Sequence, residues 1–524
     1  MAFTFVYRGD FLARTPLAAI LQKSFSLASI EMMSDIGIGQ ASLRMDCDQD
    51  TEQFTNLIKG REHPPKIVII GAGLAGLTCA YRLKQAGIHS TIYEATGRVG
   101  GRCWTRRGFF KEEQIVERGG EFIDTNHKEI LELIKELGLK LDHLRLAETK
   151  GTEPLYFFNG NPYSLEDVAD DFAKILPKLK QDLKEAGQIT LYNRYTKRGF
   201  DLDHMSVVDY INKIVPGGTN SRFGKLLEIA YTIENGADAA KQSALNLLYL
   251  LGFVEDDRFQ IYGDSDECFH IRGGNDQLPA LLAKNLNEQI RFNSPLVKIE
   301  QIDQGGVRLF FQKDDKEFEV LADKVILAIP FRILRMLEYE NASFRPLKKT
   351  AIEELGMGVN TKLHVQFNNR FWCDLGNNGE TFSDTGYQQT FESSRAQAGK
   401  SGILVNFTGA NMAAKQMALS DEERKEVTKD FLDKLSLVWP NVEINWNGLS
   451  TVDHWLSNRW TKGAYSYWKV GQFTKFAGIP GEREGNVFFA GEHTSIKYPG
   501  YLNGAVETGD RAAMEVINDI LKKK

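Results

Sequence analysis

The apolar run KIVII at residues 66–70 is followed at once by GAGLAG, and this pairing constrains the fold more than any other feature of the chain. A continuous run of β-branched residues is typical of a strand buried on both faces of a sheet. In the spacing Gly71, Gly73, Gly76, the first glycine allows a tight turn, the second admits a pyrophosphate and the third lets a helix pack on the strand. Ala75 lies where that helix begins and free N–H groups face phosphates. The pattern predicts a β-α-β unit that binds a dinucleotide.

The segment after this helix supplies an acid and two arginines. STIYEA predicts a second strand that ends at Glu94, where a carboxylate can accept hydrogen bonds from a ribose; we include its neighbour Ala95 among the cofactor contacts. The next residues, TGRVGGRCWT, contain Arg98, Gly101 and Arg102. A glycine turn with two guanidinium groups suits a further anionic contact on a long cofactor, which favours FAD over NAD.

Composition excludes several other classes of protein. The 64 basic and 70 acidic residues give a net charge of −6, which argues against a nucleic-acid-binding surface. The five cysteines are scattered and the nine histidines lack metal-binding spacing, so we predict neither a disulfide framework nor a metal site. No apolar run approaches the roughly 18–20 residues of a membrane span.

The order of elements predicts a sheet assembled from distant pieces. Buried-strand patterns at 66–94, 320–330 and 486–490 are separated by long inserts. Residues from about 127 to 265 carry mostly helical periodicity, and the chain from 290 to 410 returns to strands. SDEERKEVTKDFLDKL predicts a helix with Ser420 and Glu423 as a capping box. We therefore expect an α/β fold with a helical insert and a mixed α/β insert.

Several separated motifs, in order, resemble those of the flavin amine oxidases, the family of monoamine, polyamine and L-amino acid oxidases. They are EATGRVGGRCWT, FHIRGGNDQLPALLA at 269–283, SPLVKIEQ, and FFAGEHTS followed by PGYLNGAVETGDRAA. The resemblance extends from about residue 64 to 520. It implies a discontinuous Rossmann-like FAD-binding domain with a mixed α/β substrate domain and a helical insert.

The resemblance divides the chain into four parts. The implied parts are an N-terminal arm (1–61), the FAD-binding domain (62–105, 268–345 and 481–524), the substrate-binding domain (106–150 and 346–480) and the helical domain (151–267).

The resemblance also implies cofactor contacts far from the first glycine motif. Val297 would contact the adenine, and Gly491 and Glu492 would lie at the ribityl or pyrophosphate region. The backbone at Leu502 would face the flavin pyrimidine. A helix that begins near Asn503 would direct its positive end at the ring, where the reduced flavin carries negative charge.

At the reacting end, Tyr465 and Tyr501 match the aromatic pair that walls the space in front of the flavin in monoamine oxidases. Lys362 matches the family lysine that holds a water near the flavin. Some family members carry a cysteine that bonds the flavin at the position of Ala464. Because alanine cannot form that bond, we expect noncovalent FAD.

The stretch ERGGEFIDTNH, residues 117–127, matches the family segment that lines the flavin and the substrate, with Gly119 and Gly120 at the flavin. Venom and fungal L-amino acid oxidases have an arginine for the substrate carboxylate where this chain has Phe122. Carboxylate recognition could instead come from Arg459 or a pocket tyrosine, or the substrate could lack a carboxylate. Glu121 could favour a cationic amine or serve as a hydrogen-bonded structural acid.

These residues imply an FAD-dependent L-amino acid oxidase. A neutral amine would lose a hydride to the flavin, water would hydrolyse the imine to a 2-oxo acid and ammonia, and dioxygen would yield hydrogen peroxide. One alternative is a monoamine or polyamine oxidase of the same family. A second is a flavin-binding scaffold without turnover.

The family resemblance and the N-terminal stretch bear on assembly and location. Family members are often dimers, so we expect a homodimer. The N-terminal stretch YRGDFLARTPLAAILQKSF has Arg8 without a second arginine, and Lys23 interrupts its apolar part. It suits an arm packed on the body or a degenerate export signal, and location stays open between the cytoplasm and export.

Overall fold

A computed structural model describes residues 64–254, 259–302, 305–314, 316–417 and 420–522. The predicted N-terminal arm and export signal lie outside the described residues.

A five-stranded parallel sheet lies at the centre of the fold. Its first strand is buried along its whole length and pairs on both sides, as the run of β-branched residues predicts. The order across the sheet is Val487–Phe489, Lys324–Leu327, Ile67–Ile70, Ser90–Tyr93 and Ile290–Arg291. The prediction that one sheet gathers distant segments of the chain is therefore confirmed.

Two helices from opposite ends of the described chain pack together on this sheet. Leu74–Gln85 follows the glycine turn, and Leu502–Lys522 is the last helix. Their close approach depends on Gly509, because a Cβ at this position would lie only 2.5 Å from the Ala75 carbonyl oxygen. Both helices begin near the carboxyl ends of the parallel strands, where ligands of open α/β sheets bind.

A second, seven-stranded sheet is mostly antiparallel. Its order is Trp446–His454, Asn360–Phe367, Gly402–Gly409, Gln388–Glu392, Asn377–Ser383, Glu153–Phe158 and Asn161–Tyr163. The last two strands correct the prediction of a helical stretch from 127 to 265, because residues 153–163 belong to the sheet. EPLYFF alternates toward buried Tyr156 and Phe158, a period of two that the neighbouring helical segments mask.

The helical region covers one side of this sheet. Five helices each begin at a Ser or Thr whose side chain accepts a backbone N–H: Leu165–Ala186, Lys197–Asp203, Val207–Ile214, Arg222–Asn235 and Ala244–Leu251. Arg222–Asn235 lies against four strands of the large sheet. Its C-terminal end therefore reaches the space between the two sheets.

The remaining elements connect these layers. A three-stranded antiparallel sheet comprises Leu296–Gln301, Val307–Lys313 and Lys316–Ala322. Short strand pairs are Thr105–Arg106 with Val116–Glu117, Leu141–His143 with Phe269–Ile271, and Gly356–Met357 with Ser466–Tyr467. The other α-helices are Lys128–Glu136, Gln277–Asn285, Phe331–Leu334, Pro346–Glu354, Phe371–Asp374, Ala410–Lys415, Asp421–Leu435, Val442–Asn445 and Gln472–Phe476.

The predicted capping box is confirmed, since Ser420 and Glu423 bond reciprocally at the start of Asp421–Leu435. Among the described residues, every helix is too short or too polar to cross a bilayer.

Candidate active site

A cavity of about 780 Å³ runs between the two sheets. At one end it reaches the carboxyl edge of the parallel sheet, at Gly71 and Glu94. At the other end it meets the large sheet and the end of helix Arg222–Asn235. Segments that are hundreds of residues apart in sequence therefore share one internal space.

The three motif glycines have three different surroundings. Gly71 has φ 101°, a left-handed conformation that only glycine adopts easily, and a Cβ there would lie 2.8 Å from the Ala328 carbonyl oxygen. A Cβ at Gly73 would meet nothing within 4 Å, so the backbone is bare toward the cavity. A Cβ at Gly76 would lie 2.1 Å from the Gly71 carbonyl oxygen. Gly71, Gly73 and Ala75 line the cavity, while Gly76 serves the packing of helix on strand.

Glu94 is held firmly at the same end. Its Oε2 accepts from the Ala72 N–H at 2.8 Å, and its Oε1 accepts from the N–H and Oγ1 of Thr96 at 2.9 and 2.8 Å. Glu94 and Ala95 both line the cavity. The carboxylate is thus oriented in advance for a hydroxyl-bearing ligand.

The two predicted arginines lie on the cavity and are fixed in different ways. The Arg98 Nη2 donates to the Gly101 carbonyl at 2.7 Å, and the guanidinium stacks 4.0 Å from the ring centre of Trp104. The Arg102 Nη1 donates to Glu492 Oε1 at 2.6 Å. The Arg102–Glu492 pair joins the first glycine segment to the C-terminal motif.

Glu492 also accepts hydrogen bonds from two other segments at that junction. Its Oε2 accepts from the Ser466 hydroxyl at 2.7 Å and the Gly500 N–H at 2.8 Å. Burial alone would raise the pKa of Glu492, but the Arg102 guanidinium and these donors hold it below its usual value. Gly491 and Glu492 line the cavity, and the Glu492 carboxylate is ionised there.

The start of the last helix faces the same cavity. Leu502 is its first residue and lines the cavity together with Gly119 and Gly120. A Cβ at Gly120 would lie 2.7 Å from a Leu502 methyl carbon, so this glycine permits the contact. The free N–H groups of the first helical turn are suited to an anionic or electron-rich ligand.

Val297 does not line the cavity. Its neighbours Ser294, Pro295 and Leu296 do. Val297 occupies a β-bulge in the pairing with Val307–Lys313, and its carbonyl accepts from the Glu338 N–H at 3.0 Å. The structure thus brings its segment, but not Val297 itself, to the cavity.

Tyr465 and Tyr501 both line the cavity where it meets the end of helix Arg222–Asn235. We call this the substrate end, and the end at the parallel sheet the cofactor end. The Tyr501 hydroxyl donates to Glu234 Oε1 at 3.2 Å, and its ring packs edge-on against His127 at 5.1 Å. Tyr465 contacts Gly500, whose absent Cβ would lie 3.4 Å from the ring. Burial raises the pKa of both phenols, so both stay neutral at physiological pH.

Lys362 and Glu121 form a buried ion pair. The Lys362 Nζ donates to Glu121 Oε2 at 2.5 Å and to the Gly119 carbonyl at 2.8 Å. Glu121 also accepts from the Ser393 hydroxyl at 2.8 Å. Burial would raise the pKa of Glu121, but Lys362 lowers it below its usual value. Of the two roles considered for Glu121, these contacts favour the structural one.

The two remaining predicted substrate residues differ. Phe122 lines the cavity and packs edge-on against Phe391 at 5.1 Å. Arg459 does not line it; its side chain is exposed and stacks 4.7 Å from the Trp460 ring centre. Asn458 and Trp460 face the cavity, so the residue between them points outward. The structure thus places Arg459 outside the cavity, and its contact with the substrate stays a prediction.

The comparisons agree with this geometry. A sequence model of flavin containing amine oxidoreductases matches residues 74–517. The chain belongs to the flavin-containing amine oxidoreductase family. The resemblance in the sequence motifs is thereby confirmed, and the family implies a flavin cofactor.

Individual relatives of this flavin amine oxidoreductase are distant but cover nearly the whole chain. YobN of Bacillus subtilis (strain 168), assigned by name to the L-amino-acid oxidases, is 28% identical over 90% of this chain and 98% of its own. The L-amino-acid oxidase of Pseudechis australis is 26% identical over 90% of each chain. The structure of cyclohexylamine oxidase from Brevibacterium oxydans IH-35A has a TM-score of 0.75 at 21% identity, covering 87% of this chain and 99% of its own. The predicted α/β fold is confirmed.

The sequence motifs missed most of the substrate end of this flavin enzyme. One face of the seven-stranded sheet forms the cavity floor, with alternate residues pointing in: Pro154, Tyr156, Asn360, Lys362, Asn378, Glu380, Gln389, Phe391 and Phe407. Glu234, Glu267, Arg145 and Arg395 complete the walls. A period of two in the strands signals an inward face, but it does not say which strands are neighbours.

Proposed function

We propose that the protein is an FAD-dependent L-amino acid oxidase. An L-amino acid, water and dioxygen would be converted to a 2-oxo acid, ammonia and hydrogen peroxide. The observation that carries this proposal is Arg395, a cation on the wall of the same cavity as the tyrosine pair. It offers a partner for the α-carboxylate that Phe122 and Arg459 do not. The two L-amino-acid oxidases among the relatives support the same activity, whereas cyclohexylamine oxidase supports the amine alternative.

FAD suits the residues at the cofactor end. The bare backbone at Gly73 gives the pyrophosphate room, Glu94 presents oxygens to a ribose, and two helix N-termini face the same space. Bound flavin would supply the two-electron oxidation. Ala464 lies on the cavity without a nucleophilic atom, which supports noncovalent binding. Acid precipitation of the holoenzyme should release the flavin, and retention in the pellet would contradict this.

The chain's own residues would bind the amine and move its proton. The rings of Tyr465 and Tyr501 form apolar walls for the carbon next to nitrogen. The Tyr501 hydroxyl donates to Glu234, and burial raises the pKa of that carboxyl to about 7. Glu234 Oε1 can therefore hold a proton from the substrate ammonium near neutral pH. Lys362, fixed by Glu121, would orient a water or dioxygen.

Peroxide release by the holoenzyme from L-amino acids, D-amino acids and simple amines tests the activity. Turnover of L-amino acids supports the proposal, and turnover of amines alone would overturn it. Arg395→Met should raise KM for L-amino acids at least about tenfold, because a charge-assisted bond to the carboxylate is lost. Arg459→Ala is the matched control. Bound flavin without any peroxide would favour a scaffold.

A monoamine or polyamine oxidase remains the second candidate, favoured by Phe122 and its contact with Phe391 in place of a cationic side chain. The homodimer stays a prediction, which light scattering of the holoenzyme checks. The four-part division of the chain is likewise proposed, and limited proteolysis tests it.

A further inference from the structure

Three carboxylates meet at the substrate end of the cavity. Glu234 comes from the end of helix Arg222–Asn235, Glu267 from the loop before strand Phe269–Ile271, and Glu380 from strand Asn377–Ser383. They lie close enough that the charges of Glu380 and Glu234 both raise the pKa of Glu267. Separate elements thus direct like charges to one place.

Two of these three carboxylates, Glu267 and Glu380, differ from the others on the cavity, since Glu234 accepts from Tyr501. Glu121 has Lys362, Glu492 has Arg102, and Glu94 has three donors. Within the part of the chain that the structure describes, the carboxylates of Glu267 and Glu380 accept no hydrogen bond and form no ion pair. The other three acids therefore have hydrogen-bond or ion-pair partners, whereas Glu267 and Glu380 have none among the described residues.

Open carboxylates in such a place are unfavourable without a counter-charge. Burial raises the pKa of Glu267 well above its usual value and raises that of Glu380, and the nearby cations, Arg395 for both and Arg145 for Glu380, offset the rise only in part. A cation placed among them restores the ionised form and gains charge-assisted hydrogen bonds. The ligand that removes this cost carries a positive charge.

Aromatic side chains beside these carboxylates form apolar walls, and such walls suit a hydrocarbon chain. Tyr156, Phe259, Tyr262 and Tyr465 line the same end. Tyr156 and Tyr262 are 3% and 6% exposed, and Tyr156 stacks on Phe382 at 6.0 Å, so both rings are packed into the core behind the cavity. A methylene chain that extends from the tyrosine pair can lie along these rings and end at the carboxylates.

We propose that the cavity selects L-amino acids whose side chain ends in a cationic nitrogen, with Glu267 and Glu380 binding that cation. The inference rests on the proposed L-amino acid oxidase function and specifies its substrate class. Glu234 keeps its contact with Tyr501, and Arg395 faces the α-carboxylate.

Four substrates separate the two charges of such a molecule. L-lysine has both the carboxylate and the terminal ammonium, L-norleucine has only the carboxylate, 1,5-diaminopentane has only the second ammonium, and pentylamine has neither. Holoenzyme kcat/KM should be about 10- to 100-fold higher for L-lysine than for L-norleucine, the value of one or two charge-assisted bonds. Glu267→Gln and Glu380→Gln should each lower the value for L-lysine at least about tenfold. They should leave L-norleucine within about twofold.

Flavin content, melting temperature and L-norleucine turnover show that each variant is folded, and the exposed Glu132→Gln is the matched control. Equal rates with L-lysine and L-norleucine would overturn this inference and leave the proposed function standing. Oxidation of the two amines with both amino acids inert would overturn the proposed function and the inference with it. A lysine preference that survives both glutamine variants would overturn the assignment to these residues.

Discussion

The two ends of the cavity are built in opposite ways. The cofactor end consists of short contiguous motifs, in which a turn, a strand end or a helix start presents backbone N–H groups and a few fixed charges. The substrate end consists of single side chains from a sheet floor, a helix terminus and a loop. Charges at the cofactor end are paired, as in Arg102–Glu492, while Glu267 and Glu380 are open. The cofactor end is thus fixed by local geometry and the substrate end by tertiary assembly.

The largest effect is expected from a substitution that adds a side chain at the cofactor end. Gly73→Val fills the space at the bare backbone, so the apparent Kd for FAD should rise at least about 100-fold and oxidase activity should disappear. Flavin absorbance after gel filtration measures this. Gly97, which does not line the cavity, gives the control Gly97→Val. Normal flavin content in Gly73→Val would show that the cofactor does not approach this backbone.

Removal of one member of the buried ion pair tests the boundary between the two ends. Lys362→Met leaves Glu121 buried without its cation, so the free energy of unfolding should fall by about 3–5 kcal/mol. Denaturant unfolding of the holoenzyme measures the loss. The double variant Lys362→Met/Glu121→Gln should recover most of it, because no lone charge remains. A double variant as unstable as the single one would mean that packing, not charge, is responsible.

A change at the substrate end should leave the cofactor end intact. Tyr501→Ala removes one wall of the aromatic pair, and kcat/KM should fall about 100-fold as the amine loses its orientation. Flavin content should stay at the wild-type level. Tyr195, which is 48% exposed, provides the control Tyr195→Ala. Loss of flavin from Tyr501→Ala would show that the two ends are not separable.

The smallest effect is expected at Arg459, the predicted substrate residue that lies off the cavity. Arg459→Ala should change kcat/KM by less than about twofold, because the side chain is exposed and points away from the cavity. Steady-state kinetics beside Arg395→Met makes the contrast direct. A rise in KM for Arg459→Ala to the level of Arg395→Met would return the carboxylate contact to Arg459.

The sequence predicts the two ends unequally, for physical reasons. The turn at Gly71–Gly76 and the capping box at Ser420 depend on neighbours within a few residues, so their patterns are visible in the chain. The strands at 153–163 are hidden, since a six-residue alternation has little weight between long helical stretches. Arg395 and Glu267 carry no local signal at all, because their position on the cavity depends on which strands and loops are neighbours.

The Arg102–Glu492 bond joins residues 390 positions apart, and that span has a consequence for biosynthesis. A ribosome must deliver the strand Val487–Phe489 and the helix Leu502–Lys522 before the first glycine turn has its neighbours. The nucleotide site therefore stays incomplete on the nascent chain until that strand and that helix have left the ribosome, and a cofactor held by both segments can bind only after that point.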